Sequence, residues 1–340
     1  MMKRFLPTIL LVVVCIVGLW YASSHNFFQK PKEKPTPLIT VKKEDVTGIK
    51  ITDSNPGEDG VPVIELQKKD GKWNMIQPAA YPLNTYSADS WAEALGKTTG
   101  DKVIEKDATP GDLSKYGFDK PLQVFEATLA DGTKQTLTIG SATPVSGTYY
   151  VKTDASTTIY QESEEQITPL KKKPFDIIEK SPFQFEYNKL NKLTVDWKGQ
   201  SWMLTKSDPS KMGYESEWKL GALVLKPDDG SSFLDKIINM STNQMIGPVS
   251  KVKMDNPELK VTMVLQDKDG KEYTQTYVGK INGNDVHINQ VGGPWEYTMS
   301  LSAIQELYDK AQAVRDKVAQ QAAQQSQAAP PTAPPAAGTK

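Results

Sequence analysis

The sequence predicts an α+β fold: a tandem duplication of an antiparallel-sheet module with short helices, placed after one N-terminal transmembrane helix. Three observations carry this. An uncharged apolar run, Phe5 to Ala22, follows Lys3-Arg4 at the start of the chain. From residue 46 the pattern changes to short alternating runs joined by hairpin-length turns, which argues against parallel βαβ units. The same elements then recur in the same order through the second half.

As a helix, Phe5 to Ala22 would span about 27 Å, close to the ~30 Å hydrocarbon core of a bilayer. Pro7 falls in its first turn, where a missing N–H costs least, and Trp20 and Tyr21 stand at an interfacial position. A cleaved signal peptide would place Trp20 at −3 of a cut after Ala22, which argues against cleavage. Val14 before Cys15 argues against lipidation, so Cys15 reads as a small apolar helix residue. Lys30, Lys32 and Lys34 oppose Lys3 and Arg4 in the charge count. The order of a basic start and then an apolar run predicts a single-pass cell-membrane protein with its C-terminal body extracytoplasmic. The expected organisation is an anchor over 1–22, a Pro/Lys-rich tether over 23–45, α+β modules over 46–182 and 183–310, and a polar helix extension with a disordered Ala/Pro/Gln tail over 311–340.

With 340 residues and a formal net charge of −1, the chain can bury one or two ordinary cores and carries no basic stripe for a phosphate backbone. Nucleic-acid binding is disfavoured. Cys15 is the one cysteine and lies in the apolar run, which removes disulfides, thiol catalysis and Cys-based zinc sites from the body.

In the first module, Ile49 and Ile51 alternate with polar residues, and Val61 to Leu66 leads into Asp70-Gly71-Lys72-Trp73, a hairpin signal that requires positive φ at both turn residues. Ser87 to Thr99 predicts a Ser-capped helix with Trp91, Ala94 and Leu95 on one face. Thr109 to Gly117 predicts a short helix with a Thr cap, Pro110 at the first position and Gly at its end. Strands follow over Leu122 to Leu129 and Gln135 to Ile139, joined at Asp131-Gly132, then at Tyr149 to Val151 and Thr158 to Tyr160. Ser163 to Gln166 has capping-box spacing before a helix that must stop near Pro169.

In the second module, Leu193 to Val195 answers Ile49 to Ile51, and Trp202-Met-Leu answers Trp73-Asn-Met. A helix over Ser231 to Met240 answers Ser87 to Thr99, and Asp255-Asn-Pro257 answers Asp119-Lys-Pro121. Asp269-Gly270, Val278-Gly279 and Val286 to Ile288 answer Asp131-Gly132, Ile139-Gly140 and Tyr150-Val151. Ser302 to Gln305 repeats the capping box and opens a helix to about Gln325.

The Lys68-x-Asp70-Gly71-x-Trp73 and Tyr116-Gly117-Phe118-Asp119-x-Pro121 elements, with Ile49, Ile51, Ile64, Leu66, Gly140 and Tyr160, resemble the bacterial family called domain of unknown function 4340. The resemblance spans roughly 46–310 and is clearest in the first module; the second has Lys198-Gly199-Gln-Ser-Trp202 instead, and no Tyr-Gly before Asp255. It implies a membrane-anchored envelope protein working beside ABC-type transporter or gliding-motility components, and it supplies no catalytic residues.

The residues themselves offer little chemistry. His25 lies in the tether, and His287 in a predicted strand reads as structural, with no G-x-S-x-G elbow to make it part of a triad. Ser216-x-x-Lys219 and Ser250-x-x-Lys253 are chance spacings outside helices. Asp267 to Glu272, Asn282 to Asp285 and Asp228-Asp229-Gly230 read as turns rather than cation loops, and Glu164-Glu165 as a helix first turn. Trp73, Trp202 and Trp218 follow strand patterns and predict packing rather than a sugar platform. No catalytic, cofactor or metal residues are therefore named. The expected function is a non-catalytic accessory subunit of a transporter or motility complex, the alternative a cell-wall polymer binding module or hydrolase.

Overall fold

The computed structural model describes residues 6–24, 34–57, 60–249 and 254–328. The chain forms two compact units, Met1–Pro78 with Ala88–Lys173, and Ala79–Ser87 with Pro174–Lys340. The fold is α+β, with one antiparallel sheet module in each unit.

The apolar run forms helix α1, Leu6–Ser24. The expected transmembrane helix is not supported, because among the described residues no helix is long and apolar enough to cross a membrane. Residues 25–33 of the tether, His25 included, and residues 329–340 of the tail lie outside the described residues.

The first unit continues with β1 (Thr36–Pro37), β2 (Val46–Asp53), β3 (Val63–Lys69), β4 (Lys72–Gln77), α2 (Thr85–Gly96), β5 (Thr99–Gly100), β6 (Lys102–Glu105), α3 (Pro110–Lys115), β7 (Gln123–Leu129), β8 (Lys134–Ala142), β9 (Thr148–Thr153), β10 (Ile159–Ser163) and α4 (Glu164–Ile167). Its main sheet has the order β4-β3-β2-β7-β8-β9-β10-β6. Asp70 and Gly71 both take positive φ, 52° and 75°, as the β3–β4 hairpin requires. Helix α2 begins two residues before Ser87 and is capped by Asn84, whose Oδ1 accepts the Ser87 N–H at 3.1 Å. It buries Ala88, Trp91, Ala92 and Leu95, so Ala92 takes the place expected for Ala94. Trp91 is fully buried, and its Nε1 donates to the Leu170 carbonyl at 2.9 Å.

The second unit holds α5 (Pro174–Ile177), β11 (Leu190–Trp197), β12 (Gln200–Lys206), β13 (Trp218–Leu220), β14 (Leu223–Leu225), α6 (Pro227–Ile238), β15 (Gly247–Pro248), β16 (Leu259–Gln266), β17 (Glu272–Asn282), β18 (Asp285–Gln290), β19 (Trp295–Ser300) and α7 (Leu301–Ala328). Its sheet runs β14-β13-β12-β11-β16-β17-β18-β19-β15. Helices α6 and α7 bury Phe233, Leu234, Ile237, Ile304 and Leu307 with the inward side chains of the sheet. Residues 79–87 also belong here: Tyr81 stacks on Trp295 at 4.5 Å, Leu83 bridges Ile178, and the Asn84 N–H donates to the Ile177 carbonyl.

The two sheets repeat one topology. β2, β3 and β4 occupy the ladder positions of β11, β12 and β13, and β7 to β10 those of β16 to β19. Each module also sends a short strand from beyond its helix to the far edge, β6 onto β10 and β15 onto β19. This ladder corrects the expected tryptophan match. Trp202 lies on β12 beside β11, the place of β3, whereas Trp73 on β4 corresponds to Trp218 on β13. Both of these face a lysine across the ladder, Lys68 and Lys206.

The expected capping boxes also move. Helix α7 starts at Leu301, so the cap is Ser300, whose Oγ accepts the Ala303 N–H at 3.2 Å, and Gln305 accepts from Trp197 Nε1 instead. At α4, the Ser163 hydroxyl makes no cap and turns to Glu162 Oε1 at 3.3 Å.

Candidate functional site

The Tyr116–Pro121 element is one of the two that carry the family resemblance, and its geometry is that of an internal lock. Helix α3 opens with the Thr109 N–H donating to Asp112 Oδ2 at 2.9 Å, and closes with Gly117 at φ 80°. The turn lands on β8 where its register slips between Ile139 and Ala142. There the Tyr116 carbonyl accepts both the Ser141 N–H at 2.9 Å and the Ser141 hydroxyl at 3.1 Å. Only a residue without Cβ fits opposite: a Cβ on Gly140 would lie 2.3 Å from the Tyr116 oxygen. The Tyr116 hydroxyl donates to Glu105 Oε2 at 2.8 Å, its ring meets Tyr150 edge-on at 4.7 Å, and Phe118 lies against Gly140. The ring and carbonyl of this motif face inward, leaving none of them to a ligand.

The tryptophans are internal as well. Trp73 Nε1 donates to Asp89 on α2 at 2.8 Å, and Lys68 lies over its ring at 4.7 Å while reaching Asp89 at 3.6 Å. Trp218 is fully buried, with Nε1 on the Gly213 carbonyl, and a Cβ on Gly230 of α6 would come within 2.2 Å of its ring. Trp202 is buried against Phe233, its Nε1 without a partner among the described residues.

Ser216 and Lys219 do not come together as a dyad. Ser216 is buried with its hydroxyl on the Glu217 carbonyl, while Lys219 is exposed on β13. Ser250 and Lys253 lie outside the described residues. Asp267 Oδ1 accepts the N–H groups of Asp269 and Lys271, a turn closing the β16–β17 hairpin, and Gly283 at φ 62° turns β17 into β18. Asp229 in the first turn of α6 pairs with Lys317 of α7 at 2.8 Å. Among the described residues no group of three or more His, Cys, Asp or Glu could hold a metal. Hollows of about 440 Å³ beside α3 and about 520 Å³ between α6 and α7 gather no convergent carboxylates.

Three titratable groups stand apart, and sequence reasoning missed two of them. His287 is paired rather than solitary: Nδ1 donates to Glu296 Oε1 at 3.0 Å, which leaves Nε2 to accept from Asn282 Nδ2 at 3.4 Å. Lys206 on β12 is buried with Nζ on the Asn188 carbonyl at 3.2 Å, and burial lowers its pKa. Glu162 on β10 is fully buried. Its Oε1 accepts from Ser163, and its Oε2 has no partner among the described residues. Burial first, then the Asp101 carboxylate, pushes Glu162 up to about 7. Strand alternation marks a face but not the depth of neighbouring loops, so nothing in the sequence signals this site.

The family model described as domain of unknown function (DUF4340) matches residues 73–250, a narrower stretch than the 46–310 over which the motifs resemble it. No curated protein and no solved structure matches. These findings correct the expected role. A membrane-anchored, single-pass protein with an extracytoplasmic body and ABC-type transporter or gliding-motility partners is unsupported, since no described helix meets the length and apolarity for crossing and the family description names no partner.

Proposed function

The chain belongs to the DUF4340 family, and from that premise we propose that it is a non-catalytic binding protein that takes an extended partner segment onto the open edge of its first sheet. One observation carries the reading. Short crossover strands form the far edges of both sheets, whereas β4 forms the near edge of the first, with five of its six residues in register with β3 and no strand on its other side among the described residues. Open edge strands present unpaired N–H and C=O groups onto which an extended segment can add. Along Lys72–Gln77 the outward positions include Asn74 and Ile76, the latter 48% exposed. The motif residues in turn serve internal packing, and His287 is bonded to a carboxylate and an amide rather than to a hydroxyl nucleophile.

A photoreactive amino acid at position 76, in the full chain in cells, tests this. Crosslinks confined to one peptide of one partner, lost when Lys replaces nearby Asn74, support edge addition. Scattered crosslinks indifferent to Asn74→Lys would refute it, and a hydrolytic activity abolished by His287→Gln would refute the non-catalytic part.

A further inference from the structure

We propose that Glu162 is a one-proton latch, which holds the β5–β6 segment against β10 while its buried carboxyl keeps a proton and releases it when that carboxyl ionises. The segment is lightly attached. β6 is four residues long and meets β10 through a register shift, pairing Glu105 with Ile159, Val103 with Tyr160 and Lys102 with Gln161. Just before it, the Asp101 N–H donates to the Gln161 carbonyl at 3.0 Å, and Gly100 lies so close to Tyr160 that a Cβ would stand 2.6 Å from the ring.

Glu162 sits beneath this junction with no solvent exposure. The Ser163 N–H and hydroxyl supply donors to Oε1 at 3.0 and 3.3 Å, and Oε2 receives none among the described residues. A proton on Glu162 turns Oε2 from a charged acceptor without a donor into a neutral O–H. When it leaves to water, a buried oxygen carries charge with no donor, facing a second carboxylate. Asp101, from the β5–β6 segment, is the charged group acting on Glu162. β9 places Tyr149 opposite it in register, with Lys171 over the far ring at 5.3 Å, and α4 adds Glu164, whose N–H is on the Gly147 carbonyl and whose side chain reaches Lys171 at 3.7 Å. Asp101 is exposed, so moving its segment outward separates the charges and lets water reach Oε2. Burial raises Glu162 to about 7, which places release near neutrality, and the opened segment uncovers the backbone edge of β10.

Hydrogen exchange read by mass spectrometry on the full chain, corrected for the intrinsic pH dependence of exchange, tests the latch. With Glu162 at about 7 closed and an ordinary 4.5 open, opening over 99–105 should rise about 30-fold between pH 5.5 and 8.5. Peptides from β2 and β7 should stay protected throughout. Glu162→Gln, uncharged and carrying its own N–H, should abolish the pH step, and Asp101→Asn, at an exposed position, should shrink it. Equal wild-type protection at both pH values would overturn the latch, as would a full pH step surviving in Glu162→Gln. Should that variant fail to protect β2 and β7, Asp101→Asn decides alone: a reduced step supports the latch and an unchanged one overturns it.

Discussion

Replacing Gly140 by alanine tests whether the Tyr116–Pro121 element is a structural lock. The new Cβ would lie 2.3 Å from the Tyr116 carbonyl oxygen, and 3.0 and 3.2 Å from two Phe118 ring atoms. Ordinary contact needs a retreat of about 1 Å by a carbonyl that already accepts two bonds from Ser141. Overpacking of this kind costs about 1–3 kcal/mol, and weakening a Ser141 bond adds about 1 kcal/mol. The expected loss is therefore about 2–4 kcal/mol, a large share of the ~5–15 kcal/mol that holds a domain together. Urea denaturation followed by far-UV circular dichroism would show it as an earlier transition for the first unit. Gly111→Ala is the control, because it lies inside α3, has ordinary φ and meets nothing closer than Thr109 Oγ1 at 3.8 Å. It should be neutral or stabilise by up to about 1 kcal/mol. If Gly140→Ala came within about 0.5 kcal/mol of wild type, the lock would be wrong and the motif would need a ligand to explain it.

Further outcomes follow from the same contacts. Glu162 has its pKa raised from 4.5 to about 7 in the fold, so its contribution is complete below pH 4.5 and is lost as pH rises through about 7. The first unit should lose about 2 kcal/mol between pH 5 and 8 in denaturant titrations, allowing for water reaching exposed Asp101, and Glu162→Gln should flatten the curve. Lys206→Met exchanges a buried ammonium bonded to one carbonyl for an apolar chain of similar length, and should leave the second unit unchanged or raise its stability by about 1 kcal/mol in thermal melts. A drop of more than about 2 kcal/mol would show the ammonium to be better satisfied than its single bond implies. Tyr116→Phe keeps the ring on Tyr150 but deletes the bond to Glu105, and should cost about 1 kcal/mol, lowering the folding constant about fivefold in a urea titration.

What the amino-acid order determined by itself is local. Asp70-Gly71 can turn a hairpin because glycine and aspartate accept positive φ, and Thr109-Pro110 with Gly117 bounds a helix for reasons contained in those residues. Trp91 and Leu95 share a helical face because they are four apart. The order of these elements also revealed the duplication. Edge assignment is different, because ladder position depends on which distant strand offers unpaired N–H and C=O groups. Only the tertiary structure therefore matched Trp73 with Trp218, carried β6 and β15 to the far edges, and drew residues 79–87 into the second unit. The helix of residues 6–24 follows from composition, and among the described residues no helix is long and apolar enough to cross a membrane. Glu162 makes the same point at a single atom. Its strand position is legible from alternation, but the unmet oxygen and the facing Asp101 exist only once a segment sixty residues earlier closes over it, since burial and charge act through space rather than along the chain.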